Sequence, residues 1–152
     1  MKIEDKIVED QKWAVINHKG PIGDIEVLIA QLFGWVESEN VELVGAPFAM
    51  YYTRPTNSKE DDVVYDVGVP IASDYPGTDL IKIVDMLEHK VLAIIHKGSY
   101  DTINESYQKI VDYSIENKYD IIGSPREIYF NSPLDVSEDE LITEIQLPII
   151  KM

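Results

Sequence analysis

Shifted by 78 residues, the sequence overlays itself without a gap. His18-Lys19-Gly20 returns as His96-Lys97-Gly98, and Gly45, Pro47 and Tyr51 return as Gly123, Pro125 and Tyr129 (123 − 45 = 78). Glu60-Asp61 returns as Glu138-Asp139, and Pro70-Ile71 as Pro148-Ile149. A register kept through loops as well as apolar runs marks a repeated structural unit rather than shared composition. It restricts the chain to folds that use one module twice, over residues 2–72 and 80–150 of a single domain spanning 1–152. It also makes the seam between the copies a surface that neither copy owns alone.

Each copy reads strand, strand, helix, strand, strand. In the first, Ile3 to Val8 and Trp13 to Asn17 are short, apolar and β-branched, and Gly20-Pro21 ends that pattern. From Asp24 the period becomes helical: Ile25, Leu28, Ile29, Leu32, Phe33 and Val36 form one stripe that fades near Asn40. Gly45-Ala46-Pro47 turns into a strand over Phe48 to Thr53, a polar loop runs from Arg54 to Asp62, and Val63 to Ile71 closes the copy. In the second copy the strands are Ile81 to Leu87, Val91 to Ile95, Arg126 to Asn131 and Leu141 to Ile149. Its helix has Asp101 as the expected cap and a stripe of Ile103, Tyr107, Ile110, Val111 and Ser114. The connector Ser73 to Thr78 is too short for free reach, so the copies are expected to pack as one domain. Strands in runs with one helix per copy indicate an α+β fold with antiparallel sheet.

Composition removes several functions. The chain carries 28 acidic and 13 basic residues, a net charge of −15. Nucleic-acid affinity depends largely on cations that neutralise phosphates, so direct binding of nucleic acid is not expected. No apolar run is long enough to span a membrane. The start, Met1-Lys2-Ile3-Glu4-Asp5, has no apolar leader, and a cytoplasmic protein is the expectation. The absence of cysteine excludes disulfides and thiolate chemistry. His18 and His96 stand at equivalent strand ends without a neighbour at ligand spacing, so neither a metal nor a cofactor is expected.

Where the copies differ, function has room. Phe48/Met50/Tyr52 becomes Arg126/Ile128/Phe130, and Leu28-Ile29 becomes Ser106-Tyr107. Asp66 and Glu144 are partners under the shift, each a carboxylate in the middle of an apolar strand, where such residues are disfavoured. Alternation puts Ile142, Glu144 and Gln146 on one face and Leu141, Thr143, Ile145 and Leu147 on the other. The first set is the more polar, so pattern alone favours water for Glu144. The alternative is the floor of a cavity, where a buried anion awaits a cation or serves as a base.

The motifs His18-Lys19-Gly20-Pro21, Gly45-Ala46-Pro47-Phe48 through Tyr52, and Tyr65-Asp66-Val67-Gly68-Val69-Pro70 resemble the first half of the GyrI-like domain. This domain is also the effector-binding module of many AraC- and MerR-type transcription regulators. His96-Lys97-Gly98-Ser99-Tyr100, Gly123-Ser124-Pro125-Arg126-Glu127-Ile128-Tyr129-Phe130-Asn131, and Glu138-Asp139-Glu140-Leu141 through Pro148 resemble its second half. The resemblance implies a duplicated β-α-β-β module, a curved, barrel-like antiparallel sheet flanked by two helices, and a ligand cavity between the copies. It also implies that Glu144, on the closing strand, stands in that cavity toward lipophilic, often cationic, aromatic ligands. Phe48, Met50, Tyr51, Tyr52, Tyr107 and Tyr129 are candidate walls, with Asp66 as a further ligand-binding candidate. Trp35 and Tyr113 are expected to be packing residues instead.

Three functions compete. One is a module binding a small lipophilic molecule, with Glu144 as anionic anchor and room for a homodimer. No DNA-binding segment precedes the motifs, so a stand-alone module is expected rather than a direct transcription role. The second, implied by similar GyrI-like proteins that open cyclopropanoid compounds, is a hydrolase in which Glu144 activates water and Tyr107 or Tyr129 donates the proton. The third is an acidic interaction module of gyrase-inhibitor type.

Overall fold

A computed structural model describes residues 2–53 and 63–151 of the 152. The polar loop expected from Arg54 to Asp62, including Glu60-Asp61, lies outside them. Nine strands and two α-helices are present among the described residues: β1 Ile3–Val8, β2 Gln11–Gly20, α1 Ile25–Ser38, β3 Phe48–Tyr51, β4 Val63–Ile71, β5 Lys82–Met86, β6 His89–Lys97, α2 Ile103–Glu116, β7 Tyr119–Ile121, β8 Arg126–Tyr129 and β9 Ile142–Lys151. Every pairing given below is antiparallel, as the runs of strands require.

The chain forms two compact units, Asp10–Leu87 and Met1–Glu9 with Glu88–Met152. In the first, β2 lies between β4 and β5, and β3 pairs on the far side of β4. In the second, β6 lies between β1 and β9, and β8 and β7 pair along β9. The leading strand of each sequence repeat therefore sits in the unit built around the other repeat's helix. The ladder registers agree under the 78-residue shift: Phe48 faces Gly68 as Arg126 faces Gln146, and Met50 faces Asp66 as Ile128 faces Glu144.

Periodicity fixes the core of the second unit. Leu92 and Ile94 on β6, and Ile145, Leu147 and Ile149 on β9, recur every second residue and share one face. Against that face α2 sets Tyr107 and Ile110, three residues apart and on one side of the helix. Burying each large aliphatic side chain contributes about 1.5–3 kcal/mol.

Local signals set the helix ends. Pro21, which has no N–H to leave unsatisfied, leads into a 3-10 turn at Ile22–Asp24 and then α1. The cap expected from Asp101 is supplied by Ser99 instead. Its hydroxyl accepts from the Asp101 N–H at 3.1 Å and starts a 3-10 turn one step before α2. Both helices stop at a residue in the left-handed region, Asn40 (φ 51°) and Lys118 (φ 61°), again 78 apart (118 − 40 = 78).

Two strands run beyond their apolar segments. β2 and β6 take in Gln11, Lys12, His18 and Lys19, and His89, Lys90, His96 and Lys97, because the ladder holds polar residues that periodicity does not mark. β7 is three residues long, too short to carry a period. Trp35 is buried and meets Tyr75 edge-on, while Tyr113 stacks on Tyr119, so both pack.

Candidate functional site

On β9 of the second unit, Ile142, Glu144 and Gln146 point away from α2. Thr143, Ile145 and Leu147 point toward it. Register adds Arg126 and Ile128 of β8, and Ala93 and Ile95 of β6, to the face of Glu144. Polarity here does not mean water. Glu144 is 7% exposed, Gln146 4% and Arg126 5%. The solvent reading of Glu144 that alternation favours is therefore corrected: this face is polar and buried together.

A buried charge is tolerable only when paired and hydrogen-bonded. The Lys6 ammonium, from β1, lies 2.8 Å from Glu144 Oε2. Gln146 Nε2 donates to the same oxygen at 2.5 Å, and its Oε1 accepts from Arg126 Nη2 at 2.7 Å and Nε at 3.2 Å. Gln146 thus joins an acceptor and a cation, the two jobs an amide does at once. Burial draws the Arg126 guanidinium down to about 10, and the charge of Glu144 opposes that shift. Around the carboxylate the same face carries Ile95, Ile128 and Ile142. Ile128 and Ile142 are half-buried and Ile95 is 41% exposed. The result is a sunken anion with an aliphatic rim.

The aromatic candidates of this unit lie elsewhere. Tyr107 on α2 donates to Glu127 Oε2 at 2.6 Å, and Tyr129 donates to Glu127 Oε1 at 3.0 Å. Tyr100 meets the Tyr129 ring edge-on with centroids 6.0 Å apart. Glu127 faces Ile145, one residue from Glu144 in register and therefore on the opposite side of the sheet. The proton-donor role expected of Tyr107 or Tyr129 beside Glu144 is corrected on this ground, since Tyr129 by strand alternation and Tyr107 from α2 both meet Glu127 on the helix side of the sheet. Sequence reasoning missed Glu127, Gln146 and Lys6 as site residues. Glu127 carried a readable signal, a carboxylate inside a strand, the same signal that marked Glu144.

In the Asp10–Leu87 unit, Phe48, Met50, Tyr52 and Asp66 share one face and Tyr51 takes the other, with Tyr65. That second face is the helix side, since the Tyr65 hydroxyl donates to the Pro21 carbonyl at the entrance of α1 (2.8 Å). Asp66 accepts from the Tyr52 hydroxyl at 2.5 Å and from Asn17 Nδ2 at 2.9 Å. Burial, and then that hydrogen bond, push the Tyr52 phenol well above its ordinary value. Phe48 is fully buried against Trp13, with ring centroids 4.5 Å apart, on the face turned away from α1.

The histidines have structural partners. His18 Nε2 lies 2.8 Å from Asp24 Oδ2. His96 is buried with Nε2 against the Ser99 carbonyl at 2.9 Å and Nδ1 against Ser106 Oγ at 2.7 Å. A carbonyl only accepts, so Nε2 donates to it. Among the described residues no group of three His, Asp or Glu side chains could hold a metal ion. No helix of the described residues is long and apolar enough to cross a membrane.

Known structures share this fold. The crystal structure of the EcmrR C-terminal domain superposes with a TM-score of 0.88 at 20% identity, over 99% of this chain and 98% of that one. In an EcmrR–DNA complex the matching part is 58% of the EcmrR chain. A hydrolase from Listeria innocua matches with a TM-score of 0.75 at 14% identity, over 98% of this chain and 92% of its own. SAV2435 bound to tetraphenylphosphonium matches with a TM-score of 0.58 at 12% identity, over 99% and 94%. No match to a curated protein sequence was found. The model of the GyrI-like small molecule binding domain matches residues 1–150, and the chain belongs to that family.

Proposed function

We propose that this small-molecule binding domain takes lipophilic organic cations, with Glu144 as the anionic anchor. The observation that carries the reading is a carboxylate 7% exposed and rimmed by Ile95, Ile128 and Ile142. A charge so placed attracts a cation more strongly than it would in water. The isoleucines reward apolar area at about 25 cal/mol per Å². Within this unit the walls beside Glu144 are aliphatic, so the ligand's own rings, rather than the protein's, supply most of the aromatic surface. Few directional hydrogen bonds at the rim mean broad selectivity among ligands of similar size. That the structurally similar SAV2435 is seen with tetraphenylphosphonium supports this ligand class.

The test is calorimetric titration with tetraphenylphosphonium of the wild type and of Glu144→Gln, which keeps the shape and removes the charge. At least a tenfold loss of affinity is expected in the variant, on the scale of about 1.4 kcal/mol or more for a charged partner. Equal affinity in the two proteins ends the anchor role of Glu144.

A further inference from the structure

Glu144 already holds a cation, and the way that cation reaches it is unusual. Lys6 stands on β1 at the level of Val91, whereas Glu144 stands at the level of Ile95. Four residues of β6 separate those levels (95 − 91 = 4), so the lysine side chain runs obliquely across the sheet to bring Nζ within 2.8 Å of Oε2. The two ends of the pair are unequally buried: the lysine side chain is 37% exposed and the glutamate side chain 9%. Glu144 is also held at that same oxygen by Gln146, itself held by Arg126. Lys6, by contrast, has Glu144 as its one ion-pair partner among the described residues.

Releasing the lysine costs little on its own account. Its ammonium regains water at a partly exposed position, and its long stem regains rotamers. What opposes release is the carboxylate, which would stay behind buried and under-paired. A cation entering at that moment removes the opposition. The entering cation must, however, displace a group that is covalently attached and so present at high effective concentration. A small hydrated cation has nothing extra to offer. One that lays apolar surface on Ile95, Ile128 and Ile142 does.

We propose that Lys6 is a tethered counterion that occupies Glu144 in the free protein, yields it to an incoming lipophilic cation, and thereby sets how lipophilic a cation must be to bind. The proposal rests on Glu144 being the anchor. It adds a residue from β1, 138 positions away in sequence (144 − 6 = 138), as the competitor that every incoming cation must displace.

The experiment titrates tetraphenylphosphonium, tetramethylammonium and the neutral dye Nile red into the wild type, Lys6→Gln, Lys6→Arg and Glu144→Gln. In Lys6→Gln both cations bind tighter, on the order of tenfold if the lysine-free form is about a tenth of the wild-type population. Lys6→Arg stays near the wild type, and Nile red binds all four proteins alike. Cation affinity in Lys6→Gln equal to or below the wild type, or a gain shared by Nile red, overturns the exchange. Unchanged cation binding in Glu144→Gln sinks the anchor and the exchange together. Loss there without a gain in Lys6→Gln sinks the exchange alone. If Lys6→Gln gives no cooperative melt, Lys6→Met keeps the stem and removes the charge; a failure of both to fold makes Lys6 a structural residue and overturns the proposal.

Discussion

In the Asp10–Leu87 unit, Phe48 faces Gly68, and a methyl group added at Gly68 would sit 2.7 Å from the phenyl ring and 2.8 Å from Val15. At the corresponding place in the other unit, 78 residues on, Arg126 faces Gln146 and donates to it twice. One backbone ladder thus carries two chemistries: a ring lying over a glycine, and a guanidinium joined to an amide. The neighbouring carboxylates differ in step. Asp66 is half-buried and held by two neutral donors, Tyr52 and Asn17. Glu144 is buried and held by Gln146 and a lysine. The lesson is that burial of charge follows its surroundings. Where the ladder provides an amide and a guanidinium, a carboxylate can go under; where it provides Phe48 and Gly68, the carboxylate stays nearer to water.

The contrast can be broken most forcefully at Phe48. Phe48→Ala leaves a cavity beside Trp13 and should lower the unfolding free energy by about 3–5 kcal/mol, read from guanidinium denaturation. A loss below about 1 kcal/mol would mean that the ring-on-glycine packing is not what holds that ladder. Arg126→Met should cost less, about 1–3 kcal/mol, because its main effect is to leave Gln146 Oε1 buried without its donor. Should Arg126→Met prove the costlier of the two, the ranking of apolar over polar packing is reversed.

The smallest effects lie on the helix side, at positions 65 and 143, and they have opposite signs. Tyr65 reaches the Pro21 carbonyl, whereas Thr143 at the shifted position has a buried hydroxyl without a partner among the described residues. Tyr65→Phe should lose about 1 kcal/mol and Thr143→Val should gain about 1 kcal/mol, visible as opposite shifts in Tm. Burial, and secondarily the charge of Asp24, pushes the Tyr65 phenol up to about 12. A raised value in the folded state means its contribution is complete below pH of about 10, the ordinary tyrosine value, and is lost as pH climbs toward 12. Part of the alkaline fall in Tm should therefore be absent from Tyr65→Phe.

Much of this was legible in residue order. The 78-residue shift already holds the equivalences on which the comparison of Phe48 with Arg126 and of Asp66 with Glu144 depends. The turn glycines and the helical stripes likewise announced α1 and α2. The face of Glu144 was legible too, since alternation alone groups it with Ile142 and Gln146. Whether that face is wet or buried was not, because alternation sorts residues into two sets and says nothing about what lies over each. The same limit explains why Tyr107 and Tyr129 were expected beside Glu144: their chemistry suits a carboxylate, but helix packing and strand register bring them to Glu127.

The sequence by itself determined the α+β class and the antiparallel strands, because these follow from periods of two and 3.6 residues and from turn chemistry, all local; that Glu144 rather than Asp66 was the carboxylate to test came from the resemblance to the GyrI-like domain. Only the tertiary structure decided that β1 joins β6, that Lys6 reaches Glu144, and that Arg126 and Gln146 go under with it. Those outcomes depend on strand pairing between residues far apart in the chain. Burial decides their strength, by removing the water that would otherwise screen each charge.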